Sequence, residues 1–459
     1  MIWWHQLGGS QHEMRDYSDF ETVANARGWI AASHMGPSDR HWNARSAQEH
    51  CRAMLDWLTD NYPFSRDSIY MIGGSMGGAA GQVWHNNNCG SNDYLIAANA
   101  GSSPILDCQL RQEQYLASGD TNRSMRLMFG GLPSERDSVA FEYHRYSAIH
   151  FADTSQSMHF NSLNLPVWLT WGNRDDERFA YGGPAAIWDS LRQADNADTS
   201  VIIPSEIAGH GVAIMNMEEV CDWLSGFSVN RYPNRLSINA DESGDYYWTH
   251  VDLLVNDSTF GRYGVVKNPD DRQLDITLVK NVSQLEINFD FPWSDFDSLV
   301  CSWQQLDTAI SGLQVVLNSV PEPDSIIVAE TGRVHYEYEP DPELLRIDTE
   351  PYDVIEFVVY FRTESVSPHN PILPTDTRLM QAYPNPFNST VNLLIESHIT
   401  GNRNVIFYNV LGREAGVFRA ALRPGTQRLA IAAAGLCSGI YFIKVEGSPN
   451  PPLKVMLLR

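Results

Sequence analysis

The chain has 459 residues, enough for two to four domains, and its 43% hydrophobic and 19% charged residues are typical of a folded protein. Acidic residues outnumber basic ones 56 to 32, giving a net charge of −24, which argues against nucleic acid as a partner because phosphate binding relies on Lys and Arg. No stretch approaches the roughly 20 apolar residues that span a bilayer, and no Cys/His cluster has metal-site spacing. A transmembrane segment, a metal and a cofactor are therefore not predicted.

Residues 1–227 alternate short apolar runs with amphipathic stretches. Six runs are predicted strands: Ile2–His5, Trp29–His34, Ile69–Gly73, Tyr94–Ala100, Val167–Trp171 and Val201–Ile203. The segment Ser46–Glu49 has the pattern of a capping box and predicts the start of a helix, with an apolar face formed by Ala47, Cys51, Met54 and Leu58. This alternation predicts βαβ units, and hence an α/β domain with a mainly parallel sheet and helices on both faces.

The third predicted strand runs directly into Gly73-Gly74-Ser75-Met76-Gly77, a G-x-S-x-G pattern followed by a helical stretch. Small residues beside a serine permit a tight turn between strand and helix, which lifts the hydroxyl clear of the sheet. The backbone N–H of Met76, at the start of the helix, can then donate to an oxyanion. The pattern predicts a nucleophile elbow with Ser75 as nucleophile between Gly73 and Gly77. The alternative is a glycine-rich turn with an incidental serine.

A serine nucleophile needs a base, and the base needs an acid that orients it. After an elbow of this kind the chain order is serine, aspartate, histidine, each just after a strand. Asp175 follows the fifth predicted strand, and His210 follows the sixth in a glycine-flanked loop, so they are the predicted acid and base. Asp176 is the rival acid. The alternatives are a solvated acidic turn and a loop histidine with only a structural role.

A second oxyanion donor is expected from the loop after the first strand, His5-Gln6-Leu7-Gly8-Gly9. Glycines let the backbone N–H groups of such a loop come close to a substrate. The predicted donor is Leu7 or Gly8, and the sequence leaves the choice open.

With this loop and the Gly-x-Ser-Met-Gly-Gly turn, residues 1–227 resemble an α/β-hydrolase, in particular secreted esterases of the feruloyl esterase and polyhydroxyalkanoate depolymerase type. They also resemble prolyl-oligopeptidase-like catalytic domains. The resemblance implies the same serine, aspartate and histidine as catalytic residues, although Gln6 stands where such esterases usually carry glycine.

The family's first two strands would precede Met1, and the first residues lack the pattern of a signal peptide. The chain is therefore expected to be an N-terminally truncated product whose sheet has about six strands, with Trp29–His34 at an edge. A naturally minimal six-stranded hydrolase is the alternative.

Residues from about 102 to 165 are too long for a simple crossover and predict a lid insertion over the serine, with helices at Ile105–Leu116 and Val139–Phe151. Its aromatic residues are interpreted as packing the lid onto the body, with contact to an acyl group as the alternative: Phe141, Tyr143, Tyr146 and Phe151.

Residues 231–363 show the period-two alternation of half-buried strands and predict an antiparallel β-sandwich of unknown role. Its aromatic residues are interpreted as core rather than as a carbohydrate-binding face: Tyr246, Tyr247, Trp248, Trp293 and Trp303.

The C-terminal part begins with a proline-rich linker at 364–376, followed by a strand-rich unit at 377–459 that predicts a small antiparallel sandwich. Four blocks occur in order: Tyr383–Asn388, Val405–Glu414, Ser438–Val445 and Lys454–Arg459. As a whole the unit resembles the C-terminal sorting domain of the type IX secretion system. The resemblance implies export by a Gram-negative bacterium, through the periplasm, to the surface or medium. It also implies that the outer-membrane secretion machinery recognises the tail.

These features together predict a secreted serine hydrolase that cleaves small or polymer-linked carboxylic esters through an acyl-enzyme. The runner-up is a prolyl-oligopeptidase-like serine peptidase, although the propeller that usually accompanies such domains is not present in the sequence. An inactive hydrolase-fold binding protein is the non-enzymatic alternative.

Overall fold

The computed structural model describes residues 1–90, 93–172, 182–195, 197, 200–205, 209–288, 297–305, 312–328, 334–351, 354–361, 377–397, 401–409, 413–423, 425–433, 435–446 and 452–458. The chain divides into two compact units, Met1–Thr363 and Glu364–Arg459. The predicted linker at 364–376 lies outside the described residues.

A parallel sheet of six strands opens the first unit. Its strands are β1 (Ile2–Trp4), β2 (Ala32–Ser33), β3 (Tyr70–Gly74), β4 (Ala98–Ser102), β5 (Val167–Gly172) and β6 (Ser200–Ser205). Their spatial order is β2-β1-β3-β4-β5-β6, and every neighbouring pair is parallel. The central strands β3, β4 and β5 are buried along their whole length, as parallel strands covered on both faces must be. The predicted α/β class is confirmed, and β2 lies at the edge as expected.

Nine helices accompany the described part of this sheet. They are α1 (Glu13–Asp16), α2 (Phe20–Ala26), α3 (Arg45–Asn61), α4 (Ala80–Asn87), α5 (Cys108–Ala117), α6 (Arg123–Phe129), α7 (Asp137–Arg145), α8 (Gly182–Ala194) and α9 (Met217–Leu224). Short 3-10 turns lie at Ser75–Gly77, Pro133–Glu135, Thr154–Gln156, Met158–Ser162 and Gly211–Ile214. None of the described helices combines the length and the apolar character needed to cross a bilayer.

The predicted capping box at the start of α3 is wrong. The helix begins at Arg45, so Ser46 lies inside its first turn, and no side chain caps it. A side chain from inside the first turn holds the entry of the chain instead: that of Gln48 donates to the Asn43 carbonyl at 3.1 Å. The predicted apolar face is present, with Ala47, Cys51, Leu55 and Leu58 buried and Met54 half-buried.

The rest of the first unit is a sandwich of two six-stranded sheets. Its strands are β7 (Arg235–Ala240), β8 (Gly244–Tyr246), β9 (Thr249–Leu253), β10 (Gly261–Asn268), β11 (Gln273–Lys280), β12 (Val282–Asn288), β13 (Ser298–Gln305), β14 (Gln314–Asn318), β15 (Pro323–Val328), β16 (Val334–Glu339), β17 (Leu344–Thr349) and β18 (Val354–Phe361). The sheets run β15-β18-β13-β11-β10-β7 and β16-β17-β14-β12-β9-β8.

The sandwich departs from the predicted antiparallel pattern at two pairs, β11–β13 and β12–β14, which are parallel. From β11 to β14 the chain alternates between the two sheets. After β11 the chain crosses to the other sheet, runs back along it as β12, and then crosses again to form β13 beside β11. Strands β11 and β13 therefore point the same way, and so do β12 and β14.

The predicted core role of the sandwich aromatics is confirmed for the four described ones: Tyr246, Tyr247, Trp248 and Trp303 are buried in the sandwich core. Trp293 lies outside the described residues.

The sandwich is joined to the α/β part by buried polar contacts. The Asn239 N–H donates to Asn161 Oδ1 at 2.8 Å, and the Asn161 side-chain amide donates back to the Asn239 carbonyl at 3.1 Å. The Tyr247 hydroxyl lies 2.7 Å from Nε2 of His85 on α4. Arg145 of α7 forms a buried ion pair with Asp241. The helix that follows Ser75, α4, therefore contacts the sandwich through His85.

Arg145→Met is expected to lower the free energy of unfolding of the first unit by about 3 kcal/mol, since removing one partner of a buried ion pair strands the other charge. Among the described residues, the one side-chain partner left to Asp241, which is 6% exposed, would be the Tyr246 hydroxyl at 2.9 Å. Urea unfolding followed by tryptophan fluorescence measures this, because all 13 tryptophans lie in the first unit. The control is Arg126→Met, whose pair with Glu135 is exposed and worth about 0–1 kcal/mol. Equal shifts for both variants would contradict the expectation.

The second unit contains two antiparallel sheets around its own apolar core. Its strands are β19 (Thr377–Tyr383), β20 (Thr390–Ser397), β21 (Gly401–Asn409), β22 (Glu414–Leu422), β23 (Gly425–Ala432), β24 (Gly439–Val445) and β25 (Leu453–Leu457). One sheet runs β19-β20-β23 and the other β22-β21-β24-β25. This agrees with the predicted small sandwich.

Candidate active site

The serine turn sits at the point where the strand order of the parallel sheet reverses. From β1 the chain passes to β2 on one side and then to β3 on the other. The loop after β1 and the turn after β3 therefore open side by side at the carboxyl ends of these strands, where open α/β sheets bind ligands.

Ser75 has a left-handed backbone conformation, with φ = +52°. A Cβ on Gly73 would lie 2.3 Å from the Gly77 carbonyl oxygen, and one on Gly77 would lie 2.4 Å from the Trp4 carbonyl oxygen. Both positions flanking the serine therefore exclude any side chain. A non-glycine residue is strained at this φ, and such strain collects at functional sites.

The residues after Ser75 form a short 3-10 turn over Ser75–Gly77 and then α4. The Gly78 and Ile105 N–H groups both donate to the Ser75 carbonyl, at 3.0 and 3.3 Å. Met76 is the first residue beyond the serine, where the amides of a helix start have no acceptor within the helix. This is the position required of the predicted oxyanion donor.

The loop after β1 narrows the choice of the second donor. The Gly8 N–H donates to the Asp39 carbonyl at 2.8 Å, and the Gly9 N–H donates to the Gln6 carbonyl at 2.9 Å. This bond argues against Gly8 as the donor, since its N–H is already used. In the described part of the chain the Leu7 N–H has no acceptor, and it remains the candidate.

A buried carboxylate that the sequence did not single out shapes this loop. Glu13, which is 3% exposed, accepts from the Gln6 backbone N–H at 2.7 Å and from the Gln6 side-chain amide at 2.8 Å. The Gln6 side-chain oxygen occupies the space beside Gly211, where a Cβ would lie 1.4 Å from it. Gln6 thus links the loop after β1 to the loop that carries His210, and Glu13 holds it there.

His210 is exposed and follows β6 in a loop with left-handed glycines on both sides, Gly209 and Gly211. The Ser102 hydroxyl donates to the Gly211 carbonyl at 2.6 Å, and the Gly211 N–H donates to the Ser103 hydroxyl at 3.2 Å. These two buried serines, the last residue of β4 and the residue after it, hold the loop that carries His210. Sequence reasoning missed them, although their place after a predicted strand was a usable signal.

Ser75 and His210 line one cleft of about 450 Å³, together with residues of the loop after β1 and of the insertion between β4 and β5. Among the described lining residues His210 is the one histidine. Burial lowers the pKa of His34 and of His85 to about 3 and holds the pKa of His41 well below its usual value. These three are neutral, buried side chains, and none of them lines the cleft.

The insertion reaches the cleft through residues that the sequence did not single out, Ile105, Arg111 and Tyr115. Of the four predicted aromatics, Phe141 packs on Phe260 of the sandwich at 4.6 Å and Tyr143 stacks on Phe129 at 4.1 Å. Tyr146 is buried and Phe151 partly buried in core clusters. These aromatics are packing residues and none of them lines the cleft, although Phe141 packs onto the sandwich and not onto the α/β part as interpreted.

Asp175 and Asp176 lie outside the described residues. The strand that leads to them ends at Gly172, where a Cβ would lie 1.9 Å from the Gly209 carbonyl oxygen. The chain therefore leaves β5 in contact with the loop that carries His210. In the described part of the chain no group of three His, Cys, Asp or Glu residues could hold a metal ion.

Comparison with known families identifies the tail. Residues 381–454 match the family described as "Secretion system C-terminal sorting domain". This confirms the recognition of the tail as a sorting domain and indicates a secreted or cell-surface protein. A search of curated proteins finds no match to the chain.

Solved structures similar to the chain include several esterases. Esterase B from Lactobacillus rhamnosis is 15% identical, covers 44% of this chain, is itself covered over 64% of its length, and has a TM-score of 0.33. S-formylglutathione hydrolase from Agrobacterium tumefaciens is 12% identical, and the match covers 49% of this chain and 83% of the hydrolase, with a TM-score of 0.35. An esterase from the archaeon Pyrobaculum calidifontis is 17% identical, and the match covers 49% of this chain and 75% of the esterase, with a TM-score of 0.33. The α/β fold of the first part of the chain follows from the strand order and the serine turn.

Proposed function

We propose that this chain is a secreted serine hydrolase that cleaves carboxylic esters through an acyl-enzyme intermediate. The observation that carries the proposal is the left-handed Ser75, walled by glycines that admit no side chain, in the same cleft as His210. A serine needed only for packing gains nothing from a strained backbone. A serine that must present its hydroxyl to a substrate does, because the turn lifts the hydroxyl clear of the sheet.

In the proposed mechanism, the side chains of the cleft transfer a proton and the backbone N–H groups stabilise a negative charge. His210 takes the proton from the Ser75 hydroxyl as its oxygen attacks the ester carbonyl, and Asp175 holds the imidazole in the right tautomer. The backbone N–H groups of Met76 and Leu7 stabilise the oxyanion that forms. The imidazolium then protonates the leaving alcohol, and a water activated by the same histidine releases the acid and restores the serine.

Export is the second half of the proposal. The sorting-domain match supports recognition of residues 377–459 by the type IX secretion machinery after passage through the periplasm. Removal of the tail after transport is proposed with it. A secreted product that still carries the strands β19 to β25 would contradict removal.

The test compares an aryl ester, p-nitrophenyl acetate, with a prolyl p-nitroanilide and identifies the serine that a fluorophosphonate labels. We expect turnover of the ester and a phosphonylated peptide that contains Ser75. Turnover of the amide alone would replace the proposal with a peptidase of the prolyl-oligopeptidase type. If the folded protein turns over neither substrate and takes no label, it is a binding protein with a hydrolase fold.

A further inference from the structure

Two consecutive residues before α3, Trp42 and Asn43, have left-handed backbones, with φ of +49° and +57°. Such conformations are uncommon for residues other than glycine, and two in succession are rarer still. They persist only where surrounding contacts hold them, and they cluster at functional sites. Both side chains are buried, at 1% exposure.

The contacts of this turn converge on Met76, the residue after the serine. The Trp42 N–H donates to the Met76 sulfur at 3.3 Å, and the Asn43 side-chain amide donates to the Met76 carbonyl at 2.8 Å. Trp42 and Met76 also share one apolar cluster, and Trp42 lines the cleft that contains Ser75. The turn therefore holds Met76 by its backbone and by its side chain.

The turn is itself anchored on two helices. The Trp42 indole N–H donates to the Ser124 hydroxyl on α6 at 2.8 Å. The Gln48 side chain on α3 donates to the Asn43 carbonyl at 3.1 Å. Because Trp42 and Asn43 are each hydrogen-bonded to a helix, the turn cannot move together with Met76. It can therefore keep Met76 in one position.

We propose that Asn43 is a positioning residue that sets the direction of the Met76 N–H toward the oxyanion. This inference rests on the proposed function. The N–H and the carbonyl of Met76 belong to peptide planes that meet at one Cα, so fixing the carbonyl and the side chain leaves the N–H little freedom. An oxyanion donor acts only at about 2.7–3.1 Å from the oxyanion, so a small rotation removes much of its effect.

The decisive variant is Asn43→Gly. Glycine adopts positive φ without strain, so this change preserves the turn and deletes only the amide that holds Met76. If Asn43 merely shaped the turn, the variant would keep its activity. We expect kcat for p-nitrophenyl acetate to fall by roughly 10- to 100-fold with KM nearly unchanged, less than the roughly 10²–10³-fold lost with a donor itself.

The matched control is Asn281→Gly in the sandwich. Asn281 also has a left-handed backbone, with φ of +55°, and its side-chain amide donates to the Val255 carbonyl at 2.9 Å. Asn281 has the same side chain and backbone conformation as Asn43 but lies in the sandwich, away from Met76. The kcat of the Asn281→Gly variant should therefore equal that of the wild type. A second variant, Asn43→Asp, keeps the size of the side chain and turns an oxygen toward the Met76 carbonyl, so kcat should fall at least as far.

A thionoester separates oxyanion stabilisation from loss of active protein. Sulfur accepts hydrogen bonds more weakly than oxygen, so the rate with the thionoester depends less on the donors. We expect Asn43→Gly to lower the ester-to-thionoester rate ratio. An unchanged kcat, or an equal fall for both substrates, would overturn the inference. The proposed function fails separately, if the wild type shows no ester turnover or if Ser75→Gly retains it.

Discussion

Replacing Ser75 by glycine is expected to lower kcat for an aryl ester by about 10⁶-fold, since a serine hydrolase without its nucleophile keeps only the contribution of binding and the oxyanion donors. Glycine is the sharper choice than alanine, because the φ of +52° suits it and the fold of the turn is preserved. Alanine should lose as much activity, at some additional cost in stability. Stopped assays with enzyme in large excess measure the residual rate.

His210→Ala is expected to lower kcat for the same ester by the same order of magnitude, because the nucleophile and the base act as one unit and the effects of removing them do not add. His210 is exposed, so the variant is expected to keep the wild-type fold, which circular dichroism measures. The double variant Ser75→Gly, His210→Ala should be no slower than either single variant. Ester turnover at the wild-type rate in a clean Ser75→Gly preparation would refute the assignment.

What could be predicted from the sequence was local in the chain. The G-x-S-x-G pattern of the Ser75 turn lies within two positions of the serine, and the strand and helix around it follow from apolar patterns nearby. The same holds for β3, which is predicted at Ile69–Gly73 and observed at Tyr70–Gly74. Short-range sterics fix these features, and the sequence displays them directly.

What could not be predicted depends on partners far apart in the chain. Ser102 and Gly211 are 109 residues apart, and Asn43 and Met76 are 33 apart, and no motif links either pair. The failed capping box at Ser46 has the same origin, since the turn before it is shaped by contacts with Met76 and α6. The choice between Leu7 and Gly8 likewise depended on a carbonyl of Asp39, thirty-one positions beyond Gly8.

The choice of acid rests on the ends of two neighbouring strands. Gly172, the last residue of β5, pairs with Ser205 at the end of β6, and it lies against the Gly209 carbonyl. The chain that leaves β5 therefore starts beside the loop of His210. Asp175 and Asp176 follow Gly172 by three and four positions in the sequence, and a direct comparison of their variants separates them.

Asp175→Asn is expected to lower kcat by about 10⁴-fold, because an amide in place of the carboxylate donates to the imidazole and selects the wrong tautomer. The matched control is Asp176→Asn, an identical change one residue away, which should leave kcat within a small factor of the wild type. Fluorophosphonate labelling of Ser75 should slow in parallel with kcat, since the same histidine must take the proton. If the Asp176 variant is the slow one, the acid is Asp176, and if both variants keep full activity, His210 is oriented by another group.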